Sequence, residues 1–201
     1  MNNFRKYIII CIITIILTIP LFFGFFIEYF LIKVINLISL LILVLGAFSL
    51  LFLGFIIEVL AYNDQIFELI KKHDVINTLI HKNNKFVIWI LFLITMLMEE
   101  LIFRYYSIGI LNLLLDSQYI LIVFVSSLAF SLYHIHTWFS FKNLKILLVN
   151  LIFPFLLGLY LGYIFFSFGF LSSIIAHSII AFFLHYNLYR RYYKNKNKNK
   201  I

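Results

Sequence analysis

Long apolar runs separated by short polar stretches dominate this chain. Apolar residues prevail from about Tyr7 to Phe30, Val34 to Ala61, Phe86 to Leu115, Gln118 to His136, Leu144 to Phe166 and Phe170 to Tyr189. Several of these runs exceed the roughly 18 residues that mark a membrane-crossing helix. The pattern predicts an all-α polytopic membrane bundle of about six transmembrane helices. The connection around Lys33 is so short that the first two spans, within 1–61, must form an antiparallel hairpin. Pro20 and Pro154 each remove a backbone donor inside a span and predict kinks. Gly158 and Gly162 make a small-xxx-small face suited to close helix contact.

The stretch 62–85 is more polar. Ile66, Phe67, Ile70, Ile76, Leu79 and Ile80 recur there at near-helical spacing among Glu68, Lys71, Lys72 and Asp74. That spacing predicts an interfacial amphipathic helix lying on the membrane surface. The remainder divides into a transmembrane core over 86–189 and a Lys/Asn-rich tail over 190–201. The tail is expected to be disordered and to rest against anionic headgroups.

Composition agrees with this division. The chain is 64% hydrophobic and 12% charged, and its net charge of +8 lies in loops and tail. So much apolar surface excludes a basic nucleic-acid reader; the expected partners are the lipid bilayer and a membrane-associated peptide or protein. Arg5 and Lys6, the lysines of 71–85, Lys142 with Lys145, and the tail all fall on one side of a six-span arrangement. The alternate connections near Lys33, Asp116 and Ser167 carry one lysine between them. The positive-inside rule then places both termini in the cytoplasm, in what reads as a bacterial plasma membrane. Arg5 and Lys6 imitate a signal peptide, but the run after them is too long and lacks a small-residue cleavage site, so it reads as an uncleaved span. Cys11 is the only cysteine, so no intramolecular disulfide can form.

The candidate chemistry begins in the third run, at Met98-Glu99-Glu100-Leu101-Ile102-Phe103-Arg104-Tyr105. Each charge at membrane depth costs at least about 2.5–3.5 kcal/mol and needs a reason. Glu100 and Arg104 stand i,i+4 with the acid first, the better order for a helical ion pair. Glu99 points about 100° away and has no local partner. Counting from Lys85 and from Arg190, Glu99 and His177 both lie roughly 20 Å into their helices. His134 is nearer its helix end, unless the fourth span continues past His136 toward Phe141. A carboxylate and two imidazoles from three helices can activate water: the acid takes a proton, one ring shares the water, the other supports developing negative charge. The remaining polar groups read as bland. His73, His81, His136 and His185 lie near interfaces, and Glu28 and Glu58 near span ends can snorkel.

Three motifs in this order, Glu-Glu-x-x-x-Arg at 99–104, Phe-x-x-x-His at 130–134 and His177 in the last span, resemble the CPBP family (CAAX prenyl protease and bacteriocin-processing, also called abortive-infection). The run Phe153 to Gly162 resembles that family's penultimate helix. The resemblance covers about 86–189 and implies an intramembrane endopeptidase. By it, Glu99 activates water, His134 positions it, His177 helps form an oxyanion hole, and Glu100 and Arg104 brace the first motif. The family usually has Asn four residues after the last histidine; here that position is Ala181. One oxyanion donor is therefore missing, a change typically worth about 2.7–4 kcal/mol. Ala181 supports an alternative in which the scaffold serves a non-catalytic membrane immunity or interaction protein. The motifs require no cofactor. One carboxylate and two histidines also form a zinc-like donor set, although the His-Glu-x-x-His spacing is absent. A haem or proton-coupled transport protein using His134 and His177 is a further rival.

Overall fold

A computed structural model describes residues 3–30, 36–70, 90–116 and 118–198. All regular structure among them is helical: α1 (Asn3–Phe22), α2 (Leu37–Ala61), α3 (Asp64–Ile70), α4 (Phe92–Glu100), α5 (Ser107–Leu114), α6 (Tyr119–Tyr133), α7 (His136–Phe141), α8 (Leu144–Phe168) and α9 (Phe170–Lys198). Between α4 and α5, Leu101–Tyr106 forms a π-helical turn, so helical backbone runs unbroken from Ile90 to Leu114. Four stretches among the described residues are long and apolar enough to cross a membrane: Leu37–Ala61, Tyr119–Phe141, Leu144–Phe168 and Phe170–Arg191. Tyr7–Phe22 is apolar but shorter.

The first helix ends earlier than its hydropathy suggests. Gly24 and Phe26 take φ of 78° and 56°, left-handed values that turn the chain after Phe22 and lead into a 3₁₀ turn at Ile27–Tyr29. Three helix starts are set by asparagine caps. The side chains of Asn36, Asn63 and Asn143 accept from the backbone N–H of Ser39 (2.7 Å), Ile66 (3.0 Å) and Ile146 (3.1 Å). Gly169, at φ 86°, makes the turn from α8 into α9.

α6 and α8 pack closely through the predicted small-residue face. A Cβ on Gly158 would come within 3.0 Å of Ser127 Cα, and one on Gly162 within 2.7 Å of Val123 Cγ1. Pro154 sits inside α8 as expected. An aromatic cluster closes one end of the bundle, where Tyr29 packs on Phe165 (5.4 Å) and Tyr119 on Phe166 (4.9 Å). The Tyr105 hydroxyl donates to the Phe25 carbonyl there. Many side chains of α1, α2 and α6 that face outward are large and apolar, which suits contact with lipid.

Two surface expectations change in detail. Of the amphipathic stretch, α3 is described, and Ile66 and Ile70 are buried beside Tyr62 and Ile146. That segment therefore packs on the protein; 71–85 lies outside the described residues. The basic stretch from Arg190, expected to be disordered, continues α9 as helix to Lys198.

Candidate active site

The π turn sits where the first motif lies, and its wider repeat breaks simple i,i+4 stacking. Arg104 Nε stands 3.6 Å from Glu100 Oε2, an ion pair but not a hydrogen bond. The guanidinium lies 4.3 Å over the Phe130 ring. Its three nitrogens have no hydrogen-bond partner among the described residues, although the side chain is fully buried. Such burial is tolerable only beside an opposite charge and a π face. Ser126 on α6 donates to the Phe103 carbonyl inside the π turn and ties the two helices together.

Glu100, expected mainly to brace Arg104, turns out to be a hub. Its Oε1 lies 2.9 Å from His177 Nδ1, and its Oε2 accepts from the Ser173 hydroxyl. Ser173 and His177 are four apart on α9, so a single helical face delivers both to Glu100. A carboxylate accepts only, so His177 Nδ1 is the donor and Nε2 is turned away from Glu100. His177 Nε2 stands 3.9 Å from Glu99 Oε2, too far for a direct hydrogen bond and close enough for strong electrostatic coupling. Both side chains are nearly buried, with Glu99 6% and His177 3% exposed.

His134 caps the C-terminus of α6. Its Nδ1 is 2.9 Å from the Phe130 carbonyl, which can only accept, so Nε2 carries the lone pair. The Phe130 ring meets His134 at 4.9 Å and His177 at 5.6 Å, both edge-on. One fully buried aromatic thus contacts Arg104 and both histidines. Sequence reasoning included Phe130 only as a motif letter; its position one turn before His134 was the available signal. Ser173 was missed, and its signal was a polar residue one turn before His177.

Glu99, His134 and His177 line one cavity of about 330 Å³. It lies toward the end formed by the C-termini of α2 and α6 and the N-terminus of α8. Ala181, one turn beyond His177, is also in the wall. So are His136 and His185, which sequence position alone had marked as bland. His185 Nδ1 bonds the Ala181 carbonyl at 2.8 Å and packs edge-on against Phe92 at 5.6 Å. Glu58, expected to snorkel, is buried and accepts from Asn187 Nδ2 at 2.7 Å. Glu28 is exposed, and His73 and His81 lie outside the described residues. Among the described residues, no group of three or more His, Cys, Asp or Glu is arranged to hold a metal ion.

The fold and these buried groups define a helical integral membrane protein in which two adjacent acids face one histidine, and Glu99 and that histidine line a cavity. The family model for type II CAAX prenyl endopeptidase Rce1-like proteins matches residues 82–183, about half of the chain and all three motifs. The chain belongs to that family, a family of membrane-embedded proteases. No curated protein and no solved structure matches the chain.

Proposed function

We propose that the protein is an intramembrane endopeptidase that hydrolyses a peptide bond in a membrane-associated protein or peptide, with Glu99 as the base. The observation that carries this reading is the pairing of Glu99 with His177 Nε2 across 3.9 Å at a cavity wall shared with His134. With both acids ionised and His177 protonated, Glu99, Glu100, Arg104 and His177 sum to zero charge, the favourable condition for a buried cluster. Water bound between Glu99 and the His134 Nε2 lone pair gives its proton to Glu99 as its oxygen attacks the scissile carbonyl. The new oxyanion lies against the His177 Nε2–H, and the cluster with its tetrahedral adduct again sums to zero. Glu99 then returns the proton to the leaving amine, and the C–N bond breaks. Glu100 holds the imidazolium in orientation, Ser173 holds Glu100, and Arg104 balances their charge. The acid-to-imidazole arrangement resembles the orienting role of the acid in hydrolytic triads, although here water is the nucleophile.

The wider organisation follows the same reading. Six spans cross the bilayer: α1, α2, the helical run 90–114, α6 with α7, α8 and α9. Residues 1–61 form an N-terminal hairpin, 62–85 a cytoplasmic amphipathic segment, 86–189 the catalytic core and 190–201 a basic cytoplasmic tail. Both termini lie in the cytoplasm by the positive-inside rule. Ala181 favours one second reading, an immunity or interaction protein that keeps the scaffold without hydrolysis.

Membrane peptidomics separates the two. Cells carrying the gene should accumulate a cleaved fragment that is missing both from cells lacking it and from cells carrying Glu99→Gln. A phenotype that Glu99→Gln rescues fully, with no fragment in any strain, would identify a binder.

A further inference from the structure

Glu58 lies far from the proposed reaction centre, yet it lines the same cavity and is 4% exposed. Its Oε2 accepts from Asn187 Nδ2, whereas Oε1 is buried with no hydrogen-bond partner among the described residues. The neighbouring cation does not fill that place. Arg191 Nη1 stands 3.8 Å from Oε1, an ion pair but not a hydrogen bond, and donates to the Glu58 carbonyl at 2.6 Å, while Nη2 donates to the Tyr62 carbonyl at 2.9 Å. A buried carboxylate oxygen without a donor is costly and points to a partner that arrives with a ligand.

The path to the reaction centre is also built. His177, Ala181, Leu184, His185 and Leu188 recur along one face of α9, and all of them line the cavity. Asn187, level with Glu58 through their hydrogen bond, lies about 15 Å along this helix from His177. An extended peptide covers that distance in about four or five residues.

We infer that Glu58 Oε1 is a substrate-anchoring acceptor for a main-chain N–H four or five residues from the scissile bond. The ligand must donate, because an ionised carboxylate only accepts. A cationic donor would sit beside Arg191 and be repelled by it. A peptide entering this cavity in extended form brings main-chain N–H groups that lose water and need acceptors, whatever its sequence. Glu58 therefore sets the register of the substrate and not its side-chain preference. This inference rests on the peptide-hydrolase reading for its substrate class.

The test is an amide-to-ester scan. Leu/Ala-rich peptides in detergent micelles, each with one N–H replaced by an ester oxygen, are bound to the full-length Glu99→Gln protein and separately offered to the wild type. One ester position, four or five residues from the cut, should weaken binding by about tenfold. In Glu58→Gln that penalty should vanish, since the glutamine carbonyl can keep Asn187 while its amide presents a donor to the cavity. A flat scan on wild-type Glu58, or a penalty unchanged by Glu58→Gln, overturns the inference. The scan decides by position even if Glu58→Gln does not fold. A penalty at a single ester position that Glu58→Gln abolishes, with no cleavage by the wild type, would sink the hydrolytic reading and leave Glu58 as an anchor.

Discussion

His177 Nδ1 and Glu100 Oε1 meet at 2.9 Å, although the two residues come from different helices and each is almost completely buried. The contact fixes which ring nitrogen of His177 looks toward Glu99. It also divides the adjacent acids by role: Glu100 faces the histidine and serine of α9, while Glu99 faces the cavity.

Replacing Glu100 tests that division. Glu100→Gln keeps the shape but removes the charge that holds the His177 ring through Nδ1 and balances Arg104. Cleavage should fall by at least about 10²-fold, as when the orienting acid of a triad is neutralised. Leaving Arg104 buried and uncompensated should also lower stability by about 3–5 kcal/mol, read as a reduced thermal midpoint in detergent. Unchanged stability would show that Arg104 is balanced by another group.

Phe130 supports three site residues with one ring. Phe130→Leu keeps apolar volume but removes the π face beneath Arg104 and the edge contacts to His134 and His177. The expected result is a loss of about 1–2 kcal/mol of stability and a drop in kcat larger than any change in KM. A change confined to KM would place Phe130 in substrate binding instead.

Close packing of α6 on α8 makes Gly158 intolerant of a large side chain. Its added Cβ would press on Ser127 backbone, which cannot rotate away. Gly158→Leu should destabilise the protein by about 1–3 kcal/mol or more, measured by thermal aggregation of the detergent-solubilised protein. Little change would mean that the two helices can separate at small cost.

Ala181 offers a gain-of-function experiment. It lies in the cavity wall one turn beyond His177, where an amide could reach an oxyanion. If His177 alone supplies the donor, Ala181→Asn should raise kcat by about tenfold or more, since one such donor is commonly worth 10²–10³. A fall in rate would indicate that the small side chain is needed for substrate space.

Much of this arrangement was legible in the sequence because charge in an apolar run is conspicuous. Glu99, Glu100, Arg104 and His177 stand out for that reason, and spacing along straight helices set the depths of Glu99 and His177. The Gly158 and Gly162 face was readable because close contact has few other sequence solutions. Partners across helices were not readable. Glu58 looks like a snorkelling acid until α9 brings Asn187 and Arg191 to it. Glu100 looks paired with Arg104 until a π turn loosens that pair and α9 supplies Ser173 and His177. The early end of α1 was hidden because hydropathy does not register a left-handed backbone at Gly24 and Phe26.

The most direct measurement compares wild type and Glu99→Gln on one membrane peptide, following binding and single-turnover cleavage in the same detergent. Binding should agree within about threefold, whereas the cleavage rate should fall by about 10²–10⁴-fold, the usual worth of a positioned general base. Equal cleavage rates for the two proteins would contradict water activation by Glu99.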